Sequence, residues 1–136
     1  MLHPFEMSSV TVDVVGGPSV NVPWFQGMNA QQALEGAFAQ INDSEQFTYA
    51  LQYYGAQLGY LVVMINETYD SFASSSNPYF YWEFLLNGAP SQVGIDGIVL
   101  QPNDVVGFQF EMYSQDKHRN STVQHKYSRQ FNLLPA

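Results

Sequence analysis

The stretch from Tyr79 to Tyr113 constrains this chain more than any other. It holds two long apolar runs, Tyr79 to Leu86 and Val105 to Tyr113, separated by Asn87-Gly88, a glycine-punctuated loop and Pro102-Asn103-Asp104. Runs of this length rich in aromatic and β-branched residues, bounded by turn formers, read as strands. Strand side chains alternate between faces. Phe80, Trp82, Phe84 and Leu86 therefore share one face of the first strand, with Tyr79, Tyr81, Glu83 and Leu85 on the other. Val106, Phe108, Phe110 and Met112 share a face of the second, with Gln109 and Glu111 opposite. Asn-Gly is the favoured pair for a tight turn, and Asp104 is placed to cap the turn before the last strand.

The other elements are expected to pack against this pair. Val10 to Val15 alternates, Gly16-Gly17-Pro18 reverses the chain, and Ser19 to Pro23 returns as a second strand whose continuation Pro23 blocks. Asn29 stands at an N-cap position before Ala30 to Asn42, where Leu34, Phe38 and Ile41 recur at helical spacing beside Ala30, Ala33 and Ala37. Phe47 to Tyr54 reads as a strand, and so does Leu58 to Asn66, whose nearly continuous apolar run suits a strand covered on both faces. Residues 66–78 read as an exposed polar loop, a rim or lid. The resulting expectation is an α+β fold, a mixed and mostly antiparallel sheet with one helix packed across it. It comprises one domain over residues 1–114 and a basic C-terminal tail over residues 115–136.

Charge narrows the partners. The net charge is −8, and all four basic side chains, Lys117, Arg119, Lys126 and Arg129, fall after Ser114. Residues 1–114 hold eleven of the twelve acids and no Lys or Arg. Such a body repels nucleic acid and anionic lipid headgroups. No apolar run reaches the roughly 18 residues of a membrane span, and the first residues do not form a signal peptide. With no cysteine, disulfides, thiolate metal sites and cysteine nucleophiles are absent. Asn42, Asn66 and Asn120 open Asn-X-Ser/Thr triplets, glycosylation acceptors if the chain is secreted by a eukaryote.

Catalytic patterns are weak. The three histidines, His3, His118 and His125, lie in the terminal segments and do not form a metal site or a triad with a nucleophile. Glu83 with Glu111, or Asp96 with Asp104, are the carboxylate pairs a glycosidase would use, but solvated acids on strands and turns account for them. The chain is therefore expected to be no enzyme and to require no cofactor. Its aromatic content of 15% exceeds what one helix and a small sheet must bury. Trp24, Phe25, Tyr49, Tyr53, Tyr54, Tyr60, Tyr69, Phe72, Tyr79, Tyr81 and Trp82 make up the supply; core packing takes most of them, and the remainder, near residues 66–78 and 87–98, would make an apolar rim with hydroxyls for a bulky neutral ligand or a partner protein.

The runs Gly59 to Asn66, Tyr81-Trp82-Glu83-Phe84-Leu85 and Pro90 to Asp96, with the closing strand, resemble the transcobalamin-like domains known as DUF4430. These include the C-terminal β-domain of the cobalamin carriers transcobalamin and intrinsic factor. The resemblance spans roughly Val10 to Tyr113. It implies a β-grasp-like, non-catalytic, secreted or cell-surface domain that covers one face of cobalamin or another corrinoid. It places ligand contacts on Tyr60, Pro90, Ser91, Gln92 and Gly94, with Trp82 and Ile95 alongside. The chain departs from the carriers at Ser91 and Gln92, where they carry leucines. It also has no counterpart of their helical domain, so the resemblance implies half a site. The alternative function is a protein–protein interaction or structural module of a secreted or surface protein, using the same aromatic rim.

Overall fold

The computed structural model describes residues 8–71 and 78–113. The elements run β1 (Ser9–Val14), β2 (Ser19–Pro23), α1 (Ala30–Ile41), β3 (Tyr49–Tyr53), β4 (Tyr60–Ile65), β5 (Thr68–Tyr69), β6 (Tyr79–Leu86), β7 (Ala89–Pro90) and β8 (Val105–Tyr113). Five strands form one sheet in the order β2-β1-β8-β6-β7, and three form a second in the order β3-β4-β5. β1 and β8 are parallel, with Val12 opposite Val106 and Val14 opposite Phe108, while every other pairing is antiparallel. First and last strands lying parallel at the centre, with a helix across one face, is the β-grasp arrangement the sequence led us to expect. The single sheet expected is in fact two. Ser71 joins them: its N–H donates to Phe80 O at 2.9 Å, and its Oγ accepts the Phe80 N–H at 2.8 Å.

Two apolar clusters lie on opposite faces of the β6–β8 ribbon. The larger joins Val10, Val12 and Val14 of β1 to Ala30, Ala33, Leu34 and Ala37 of α1, and to Phe84, Val106 and Phe108. The smaller joins Tyr54, Leu58 and Leu61 to Tyr79, Tyr81 and Tyr113. β4 feeds both, Leu61 the smaller and Val62 and Ile65 the larger, and it is the central strand of its sheet. Its apolar run thus has the physical reason anticipated, burial on two sides.

Local chemistry fixes the elements. Asn29 accepts the Gln32 N–H and the Gln32 side chain accepts the Asn29 N–H, a reciprocal capping box, while Asn42 ends α1 in the left-handed conformation. Asn87 (φ 52°) and Gly88 (φ 85°) give the two positive φ values of a tight hairpin turn. Asp104 accepts the Gln101 N–H at 2.8 Å and the Asn87 amide at 3.0 Å, as its turn position predicts.

Two expectations need correction. The loop expected at 66–78 begins with the short strand β5, because Asn66 and Glu67 both take positive φ and fold Thr68 and Tyr69 back on β4. Phe38, expected in the helix stripe, is 44% exposed: α1 crosses β2 so closely at Gly36 that its small residues take the inner face. The Phe38 ring instead meets Tyr49 edge-on at the rim. Phe80 is 43% exposed although Trp82 and Phe84 on its face are buried, because β6 and β8 run on past the end of β1. The tail expected at 115–136, His3, His118, His125, Asn120 and most of the 66–78 loop beyond Ser71 lie outside the described residues.

Candidate ligand-binding site

The β3–β4 hairpin places two tyrosines side by side. Tyr53 and Tyr60 are register partners, and their rings lie 4.8 Å apart at 44°. Tyr53 is 53% exposed and Tyr60 half-buried. The turn closes with Tyr54 N–H on Gly59 O (2.8 Å) and Gly59 N–H on Gly55 O (2.7 Å), both glycines at positive φ.

Residues 91–100 form a strap held at both ends of its path. The Ser91 N–H donates to Phe84 O at 3.0 Å; its hydroxyl donates to Val93 O at 2.9 Å and accepts the Val93 N–H at 3.2 Å. Ile95 N–H donates to Tyr60 O (3.1 Å), while Ile95 O accepts the Gln31 N–H (2.9 Å), one of the donors a helix start leaves unpaired. Asp96 Oδ1 accepts the Tyr60 N–H at 2.9 Å. Leu100 N–H closes on Met28 O at 2.8 Å. Gly94 has no room for a side chain: a Cβ there would overlap Leu58 O and stand 2.7 Å from Tyr60 O. The strap is thereby locked backbone to backbone beside the tyrosine pair.

The structure brings Tyr60, Gly94 and Ile95 together and spreads the other expected residues. Pro90 and Gln92 are exposed at the entry to the strap, whereas Ser91 is buried with its hydroxyl engaged. Ile95 is 1% exposed and belongs to the larger core. Trp82 is buried at the far end of β4, its indole N–H donating to Thr68 O at 2.9 Å, and Thr68 pairs with Ile65, five residues along the strand from Tyr60. Tyr53 and Asp96 belong to the Tyr60 cluster, although the sequence reading did not single them out as contacts. Pairing Tyr53 with Tyr60 across the expected hairpin would have found the first.

Glu83 and Glu111 lie on one face of the ribbon, diagonal to each other, since Glu83 pairs with Gln109 and Glu111 with Tyr81. The Tyr81 hydroxyl donates to Glu83 Oε2 at 3.3 Å, and the Gln109 amide donates to Glu111 Oε2 at 2.8 Å. Burial, then the Glu83 charge and its hydrogen bond, push the Tyr81 hydroxyl far above the usual tyrosine value. Burial and the Asp70 charge push Tyr54 up to about 12. These hydroxyls stay protonated. No group of three His, Cys, Asp or Glu side chains suited to a metal ion occurs among the described residues, nor does a helix long and apolar enough to cross a membrane.

The architecture is that of a β-grasp-like α+β domain with a tyrosine-faced hairpin and a locked strap. The chain belongs to the DUF4430 family, described as a domain of unknown function, whose model matches residues 27–112. Among solved structures it is similar to haptocorrin, a transcobalamin-family protein crystallised in complex with Cbi, with a TM-score of 0.64 and 19% identity over 83% of this chain. The chain spans only 27% of haptocorrin's length. A protein from Ruminococcus gnavus ATCC 29149, provisionally named for metal binding, also matches over 79% of this chain and 99% of its own, with 11% identity and a TM-score of 0.46. No curated protein sequence matches the chain.

Proposed function

We propose that this chain is a non-catalytic, extracytoplasmic binding domain that covers one face of a bulky, largely neutral ligand, and that a corrinoid is the first ligand to test. The observation that carries the reading is the Tyr53–Tyr60 pair beside a strap whose backbone is fixed by Gly94, Ile95 and Asp96. Such a surface offers aromatic faces and hydroxyls with little ordering left to do on binding. Haptocorrin, crystallised with Cbi, shares the fold, which makes corrinoids the natural starting point. Pro90 and Gln92 would rim the ligand. Gly94 and Ile95 act by placing Tyr60, and Trp82 and Ser91 support the scaffold from inside.

A single face leaves much of a corrinoid in water, so the expected affinity is weak, on the order of 10–1,000 μM. Calorimetric titration of the chain with cyanocobalamin and with cobinamide tests this. Heat that saturates, and is lost in Tyr53→Ala while the thermal midpoint holds, supports the reading. Absence of heat with either compound at millimolar concentration sinks it. Extracytoplasmic placement has its own check. Asn42 and Asn66 are exposed, so secretion from eukaryotic cells should yield a band that shifts on peptide-N-glycosidase treatment if either acceptor is used.

A further inference from the structure

Trp82 stands apart from the tyrosine pair, and around it the structure assigns, we propose, a second binding site, for a small flat aromatic molecule that is uncharged or cationic. The site is a half-open cavity of about 260 Å³. Its walls come from the β1–β2 turn, with Val15 and Gly16, from the β4–β5 turn, with Asn66 and Thr68, and from the ribbon, with Trp82 and Phe110. Two hairpin turns and the projecting end of the ribbon thus enclose it from three sides.

The lining selects the ligand. Trp82 already donates its indole N–H to Thr68 O, and Asn66 already spends its side chain on Thr48 N–H and Gln46 O. A ligand therefore meets a mainly apolar lining in which the Trp82 indole N–H and the Asn66 side chain already have partners. Trp82 and Phe110 rings lie 5.0 Å apart, and Phe110 stacks on Phe80 at 5.4 Å. A flat ring would extend a ladder of rings that runs from the cavity to the exposed Phe80. Val15, 56% exposed, forms the outer lip, and the space above Gly16 is open. Residues 8–113 contain no Lys, Arg or His, and Glu67 sits in the chain between the lining residues Asn66 and Thr68. The local field disfavours anions and favours amines.

Nitrogen-edited NMR of the full chain tests the proposal, with indole, tryptamine and indole-3-acetate as probes. The two tryptophan indole resonances serve as reporter and control, because Trp24 donates to Leu100 O away from the cavity. Indole and tryptamine should move the Trp82 resonance saturably and leave Trp24 still. Indole-3-acetate should bind at least about fivefold more weakly than tryptamine. Val15→Asp, at an exposed lip position, should weaken indole binding about fivefold or more with the Trp24 resonance unmoved. Equal shifts at both tryptophans, no shift at Trp82, or unchanged binding in Val15→Asp would each overturn the site. So would cross-peaks from the Trp82 indole to Phe72 or to Phe131, Leu133 and Leu134, which would show the chain itself filling the cavity. Binding of indole in Tyr53→Ala keeps this site distinct from the corrinoid surface.

Discussion

At the scale of single residues, position 94 is the sharpest test of the strap. A Cβ on Gly94 meets two backbone carbonyls, Leu58 O and Tyr60 O, and neither can rotate aside. Gly94→Ala should therefore lift the strap and cost about 2–3 kcal/mol, read as a lowered urea midpoint. Gly88→Ala is the comparison: Gly88 has a positive φ (85°), which Gly94 does not, but nothing lies within 4 Å of its Cβ, so its cost is backbone strain alone and should stay near 1 kcal/mol. Equal losses at the two positions would mean that close approach at Gly94 is unimportant. The sequence shows a glycine-rich stretch at 88–97 but gives no sign of which glycine bears a contact. That depends on Leu58 and Tyr60, more than thirty residues earlier. Asn87 and Asp104 were legible, by contrast, because turn chemistry is local.

At the scale of elements, α1 shows how far periodicity reaches. Capping at Asn29 and the alanine and leucine positions could be read from spacing, and the structure bears them out. Which side of the stripe touches the sheet could not, since Gly36 decides it. A Cβ at Gly36 would stand 2.7 Å from Val22 Cγ1, so the helix rests on β2 at that point. Gly36→Ala sets a gain in helix propensity of about 1 kcal/mol against overpacking worth about 1–3 kcal/mol. The second term should win, and the variant should be less stable than the parent. Adding Val22→Ala removes the opposing methyl, so the two substitutions should couple favourably in a double-mutant cycle by about 1 kcal/mol. Additive effects would indicate that α1 and β2 do not meet there. The same limit applies to β4 and β5: the apolar run was plain, whereas the hairpin turn needs Asn66 and Glu67 both at positive φ, which asparagine tolerates but glutamate does not announce.

At the scale of the whole molecule, the element order follows from a pattern of two strands, helix, two strands and a final pair, and the β-grasp-like class from the family resemblance. The division into two sheets does not, because it rests on Ser71 bridging to Phe80 and on a second core beneath the ribbon. That second core is unusual in being built from tyrosines, and it gives the fold a measurable alkaline limit. Tyr54 and Tyr81 are both buried there, and both have raised hydroxyl pKa values, Tyr54 at about 12 against an ordinary 10.0. A raised folded-state pKa means that the unfolded chain releases the proton first. The stability these groups contribute is therefore fully present below pH 10.0 and declines as pH rises through about 12. Urea midpoints should be level from about pH 8 to the ordinary tyrosine pKa and fall steeply above it, with tyrosinate absorbance from these two side chains appearing only as the fold is lost. Tyr54→Phe should make the decline shallower, because that position no longer titrates in either state. A midpoint that stays level up to about pH 12, or two tyrosines that ionise at ordinary pH in the folded chain, would show that the second cluster is open to water.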